Sequence, residues 1–145
     1  MIVPDANLLL YAYNRADPNH RKALNWWSGL VEGTEPVGLP CLVTVGFLRL
    51  ATGSAAFEQP LPSAMATLTV EEWLDQPHID VLNPGPAHMR IWGDLIRATN
   101  ASGNLVNDAH IAALAIEHDA EVHTNDRDFA RFPGLRWSNP LQTLA

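Results

Sequence analysis

Short extended runs alternating with segments of helix length place the strongest limit on what this chain can fold into. Met1 to Asp5, Pro36 to Leu39, Ile79 to Leu82, Ala120 to Asn125 and Leu135 to Trp137 read as strands. Between them the apolar residues recur at helical spacing. One helix runs from Leu8 to Asn14, and a second has Pro18 in its first turn and carries Trp26, Trp27 and Leu30 before Gly33. A third opens at Pro40 and carries Val43, Phe47, Leu48 and Leu50, and a fourth runs from Ser63 to Leu74, stopped by Pro77. Ala87 to Thr99 and Leu105 to His118 complete the set. This alternation predicts an α/β fold with a largely parallel sheet, because parallel neighbours need helix-length crossovers.

No repeat, low-complexity tract or linker divides the 145 residues, and 47% hydrophobic residues suffice to cover one sheet with helices. A single domain over residues 1–145 is the expectation. The first residues lack the features of a secretory signal. The most apolar stretch, Cys41 to Leu50, already contains Thr44 and Arg49, far short of the roughly 18 apolar residues of a membrane span. A soluble, cytoplasmic protein with no membrane partner is expected. Cys41 is the only cysteine, which rules out an intrachain disulfide and a cysteine-built zinc cage and fits a reducing compartment. Its apolar sequence neighbours Leu39, Leu42, Val43 and Val45 predict a small buried thiol.

The net charge of -7 argues against a protein that coats nucleic acid by bulk electrostatics. A phosphodiester hydrolase remains open, since the carboxylates that hold its cation themselves drive the sum negative.

Position makes some of those carboxylates informative. Asp5 directly follows the first strand, where ligands bind in a doubly wound sheet, although it also suits the N-cap of the helix behind it. Asp108 shares a helix face with Ile111, Ala112 and Ala115, the small and apolar residues that should press on the sheet, while His110, Glu117 and His118 fall on the opposite face. Asp126 and Asp128 end the fourth strand, as turn residues or as ligands. Brought together, each pair of these acids would repel by roughly 4 kcal/mol at about 4 Å and an effective dielectric near 20. A cation must then sit among them, and an all-oxygen donor set favours Mg²⁺ or Mn²⁺ over zinc. Such an ion supplies Lewis acidity for phosphodiester hydrolysis.

Four segments, Pro4–Leu9, Gly46–Thr52, Asn107–Ala115 and Thr124–Phe129, make the chain resemble the PIN-domain family, and within it the VapC-like toxins of toxin-antitoxin pairs. The resemblance implies a three-layer fold with about five strands in the order 3-2-1-4-5 and helices on both faces. It implies a metal-dependent endoribonuclease, with Asp5, Asp108 and Asp126 as the main catalytic metal ligands and Asp128 as an additional ligand or a group supporting them. Asn7 and Thr124 look like the polar residues that orient them. Many PIN domains carry a glutamate where this chain has Gly46, with Thr44 and Val45 beside it; its absence leaves open whether one ion or two are held. It also keeps open a PIN-like module that binds RNA or protein without cutting. Haloacid-dehalogenase and response-regulator folds fit poorly, since Asn7 stands where the first wants an acid and the only lysine, Lys22, is too early for the second.

The implied partners are RNA, a VapB-like antitoxin and a second copy of the chain, and the negative charge favours a basic antitoxin segment. Arg49, Arg127 and Arg131 are the candidate RNA contacts, with Arg136, Arg90 and Arg97 as possible extensions of the same route. Trp26, Trp27 and Leu30 read as core. The histidines show no ligand spacing and read as surface or packing groups.

Overall fold

The computed structural model describes residues 1–142. Five parallel strands, β1 (Ile2–Pro4), β2 (Val37–Pro40), β3 (Ile79–Leu82), β4 (Glu121–His123) and β5 (Arg136–Ser138), lie in the order β3-β2-β1-β4-β5. The helices are α1 (Ala6–Tyr13), α2 (His20–Glu32), α3 (Cys41–Ala51), α4 (Ser63–Leu74), α5 (His88–Thr99) and α6 (Asn104–Glu117). All the expected strands and helices are present, with boundaries moved by a few residues at most.

The strand order fixes where the helices go. From β1 the chain steps outward through β2 to β3, then returns across the sheet to β4 and steps the other way to β5. Right-handed crossovers put α1 to α4 on one face and α5 and α6 on the other, which is the expected three-layer arrangement. The direction reverses between β1 and β4, so a crevice opens beyond their carboxyl ends. Pro4 and Pro40 close β1 and β2, where a missing donor costs the ladder least.

The first face is filled by an aromatic cluster. Phe47 and Trp73 have ring centroids 4.9 Å apart, and Trp27 meets Trp73 edge to face at 5.2 Å. The Trp73 indole N–H donates to the Tyr13 hydroxyl at 2.9 Å, whereas the buried Trp27 indole N–H has no hydrogen-bond partner. On the second face Ala109, Ile111, Ala112, Ala113, Leu114 and Ala115 are all buried. That run of alanines lets α6 lie close against the sheet.

Some expectations fail. Pro18 sits in the turn before α2 instead of in its first turn. Cys41 is exposed, because in α3 it shares a face with the exposed Val45, while Val43, Phe47 and Ala51 point inward. His110 does not face solvent but packs on Trp92 of α5 at 4.9 Å, since α6 is covered by α5 as well as by the sheet. Glu117 is no solvating charge either: its carboxylate accepts from the Gly85 and Ala87 backbone N–H groups at 2.8 and 2.9 Å, bracing the loop into α5. Those two bonds hold its carboxyl below the usual range. Trp27 is core as expected, but Trp26 is only partly buried and donates its indole N–H to His123 Nδ1 at 2.9 Å. The short 3-10 helix at Arg127–Arg131 was not anticipated.

Candidate active site

Asp5 is held at the carboxyl end of β1 by its own backbone, whose N–H continues the ladder to the His123 carbonyl at 2.9 Å. Its side chain caps α1, with Oδ1 accepting from the Ala6 N–H at 2.8 Å. Cap and ligand are therefore compatible roles, because Oδ2 points elsewhere. That oxygen accepts from the Thr124 hydroxyl at 2.8 Å.

Thr124 is fully buried at the end of β4 and is the hub of the site. Besides donating to Asp5, its oxygen accepts from the Asp126 backbone N–H at 2.9 Å and from Asn7 Nδ2 at 3.4 Å. One hydroxyl thus ties the loop after β4 to the end of β1. Asp126 Oδ1 in turn accepts the Asp128 N–H at 2.9 Å and starts the 3-10 helix. Phe129, wholly buried and packed on Phe132, anchors that helix below. Asn125 is fixed from both sides, by Tyr11 at 3.3 Å and by Asn139 at 2.8 Å. Neither partner was identifiable in the sequence, where they stand far from the acidic turn with no motif of their own.

Asp108 enters from the first turns of α6, half-buried as its inward face required. Burial first, and then the charges of Asp5, Asp126 and Asp128, push its carboxyl up to about 7. Asp5 is also raised, chiefly by burial and further by Asp126, against the lowering pull of Thr124 and Ala6. Asp108 therefore feels the charges of Asp5, Asp126 and Asp128, and Asp5 feels that of Asp126. Asp128 is the outermost, its side chain exposed.

This crevice suits a hard divalent cation. Its donors are oxygens, its charge is uncompensated, and Asn7 Oδ1 is buried with no hydrogen-bond partner. Among the described residues no three acid, histidine or cysteine side chains are grouped closely enough to hold a metal ion. An ion that keeps several of its waters, as Mg²⁺ does, needs only one or two carboxylates from the protein. Gly46, where a further acid was considered, faces Ala6, with an added Cβ only 3.6 Å from the alanine's.

The arginines divide. Arg127 is exposed at the start of the 3-10 helix, between Asp126 and Asp128. Arg131 is exposed but donates to the Thr99 carbonyl at 3.3 Å, closing the C-terminus of α5. Arg49 is exposed in the last turn of α3. Arg136 is at the wrong end: it opens β5 and binds Asp119 through its carbonyl at 2.8 Å and its carboxylate at 3.1 Å, at the sheet edge opposite the acids. Arg97 is paired with Asp94 at 2.7 Å.

Comparison with known proteins gives a consistent result. The PIN domain family model matches residues 2–135. Ribonuclease VapC33 of Mycobacterium tuberculosis is 45% identical over 142 residues, covering 98% of this chain and 99% of that protein. Ribonuclease VapC37 of the same species is 41% identical over 144 residues, covering 99% of this chain and all of the relative, 100%. In fold, the chain resembles the structure of VapBC-1 from nontypeable Haemophilus influenzae, with a TM-score of 0.70 at 18% identity over 97% of this chain and 98% of that one.

Proposed function

The chain belongs to the PIN-domain family, among the VapC ribonucleases, and on that premise we propose that it is a divalent-cation-dependent endoribonuclease acting as the toxin of a toxin-antitoxin pair. What supports the metal-dependent part is that the carboxyl of Asp108 is pushed up to about 7 by burial and by the charges of Asp5, Asp126 and Asp128, acids distant in sequence.

Asp5, Asp108 and Asp126 are the residues that would hold Mg²⁺ or Mn²⁺, and the ion when bound supplies Lewis acidity toward the scissile phosphodiester and its attacking water. The chain's own groups do the rest. Thr124 keeps Asp5 Oδ2 directed by its hydrogen bond and fixes the Asp126 backbone at the same time. Asn7 offers its free Oδ1 as a further acceptor. The carboxyl of Asp108 is pushed up to about 7, and a cation held beside it would favour its ionised form. Asp128 adds outer negative charge, and Arg127 and Arg49, both exposed, offer cations to the RNA backbone. Arg131 does so from a position already fixed by Thr99.

A VapB-like antitoxin is the proposed protein partner, consistent with relatives of this fold solved as VapBC complexes. A basic antitoxin segment entering the crevice would offset its charge and block substrate. We further propose one domain across the chain, a homodimer, and a cytoplasmic location; among the described residues no helix is long and apolar enough to cross a membrane. Expression in a bacterium tests the function: growth arrest that Asp108→Ala abolishes supports it, and arrest that Asp108→Ala leaves intact contradicts it.

A further inference from the structure

The hydrogen bonds beside the acidic loop run in one direction and leave one donor over. The Leu141 backbone N–H can only donate, and it donates to Asn139 Oδ1 at 3.0 Å, which orients that side-chain amide. Asn139 Nδ2 therefore donates to Asn125 Oδ1 at 2.8 Å, and Asn125 Nδ2 donates to the Tyr11 hydroxyl at 3.3 Å. The Tyr11 oxygen is the acceptor that ends this chain. Its own proton has no acceptor among the described residues.

Tyr11 is half-buried on α1, one turn after Asn7 on the same face, and the residue it touches immediately precedes Asp126. Its hydroxyl is thus a directed donor on the flank of the crevice. The second helix, α2, brings a cation to the same side. This helix delivers the chain to the amino end of β2, so it descends against the strands and its first turn stands nearest their carboxyl ends. Trp26 meets the end of β4 through its bond to His123. Lys22, one turn earlier on that face, stands about 6 Å further along, past the strand and level with the loop that follows it. It is exposed and pairs with no acid among the described residues; Asp17, five positions earlier, already accepts from the Asn19 N–H at 2.8 Å. His20 Nδ1 meets the Tyr11 carbonyl at 2.9 Å and so ties the start of α2 to α1.

We infer that Tyr11 and Lys22 form a phosphate subsite for the RNA strand, on the flank of the acidic loop. The inference rests on the ribonuclease reading and adds to it a contact on the α1–α2 side. Phosphodiester oxygens only accept, so a hydroxyl whose oxygen is already occupied and an ammonium are the groups they need. The acids at the centre repel the RNA backbone, which makes donors and cations at the neighbouring phosphates necessary for binding. Tyr11 supplies position through one directed bond, and Lys22 supplies charge. A basic antitoxin segment would be repelled here by Lys22 and by the exposed Arg21 beside it, which favours RNA as the occupant.

The test is steady-state cleavage of an RNA oligonucleotide by the full chain in Mg²⁺, beside fluorescence anisotropy of the same labelled oligonucleotide over a salt series with the ion withheld. Tyr11→Phe should raise KM about tenfold with kcat within about twofold of the wild type, because the lost bond is one to a charged phosphate. It should leave the salt dependence of binding unchanged, since no charge is removed. Lys22→Ala should raise KM and also lower the salt dependence by about one phosphate contact. Asn139→Ala, which releases Asn125, should raise KM in the wild type and have no further effect on Tyr11→Phe. If Tyr11→Phe fails to fold, as its circular dichroism would reveal, Lys22→Ala carries the test alone. An unchanged KM in the folded variants overturns the inference, and so does a loss confined to kcat, which would make Tyr11 a support of the metal ligands instead. Variants that keep RNA affinity but lose binding of a basic antitoxin-like peptide overturn it too. If the wild type cuts no RNA, the ribonuclease reading fails separately, and the anisotropy series still decides the subsite.

Discussion

The Thr124 hydroxyl donates to Asp5 Oδ2 across 2.8 Å, joining two residues 119 positions apart at the point where the sheet changes direction. The same oxygen accepts the Asp126 N–H, so the geometry of two candidate ligands depends on one buried atom.

Thr124→Val keeps the shape and removes the hydroxyl. It strands the Asp126 N–H and one oxygen of Asp5, and the expected cost is about 1 to 3 kcal/mol in urea unfolding. RNA cleavage should fall as well, because Asp5 is no longer directed. Thr124→Ser should recover most of both; equal loss in the serine variant would show that packing, not the hydroxyl, matters.

The metal-free protein should lose stability as pH rises. Asp108 has a folded pKa of about 7, above its ordinary 3.8, so the fold favours the protonated acid. The penalty is absent below about pH 3.8, grows between the two values and is complete above about 7. Asp108→Asn should therefore be more stable than the wild type at pH 8 without metal. Water around the half-buried group limits the gain to the order of 1 kcal/mol. Adding Mn²⁺ should stabilise the wild type and not the variant; thermal melts at pH 5 and pH 8 measure all of this.

Arg127 and Arg136 should separate by function. Arg127→Ala should weaken RNA binding across sequences and lower the salt dependence by about one phosphate contact. Arg136, engaged with Asp119 at the far end of the sheet, should leave binding unchanged when replaced by alanine. Affinities measured over a salt series distinguish the two.

The sheet was legible because each strand is a short apolar run with a helix behind it, and the strand order followed from the family resemblance. Asp5 and Asp126 were legible because they follow strands, and Asp108 because it shares a helical face with alanines. What the sequence hid was tertiary. A helix covered on one side has one apolar stripe, but α6 is covered by the sheet and by α5, so His110, on the face away from Asp108, is packed against Trp92. Cys41 looked buried from its sequence neighbours, yet helical geometry separates it from Val43 and Phe47. Arg136 looked close to the acidic turn because it lies only five positions after Arg131, but the chain crosses the sheet's length between them.

Cleavage of a structured RNA by the purified chain, followed with Mg²⁺ or Mn²⁺ and then with a chelator, tests the central claim most directly. Cutting should require the ion, stop on chelation, return on readdition, and be absent from folded Asp5→Asn and Asp108→Asn. Cutting that survives chelation, or that both variants retain, would contradict a cation held among these acids.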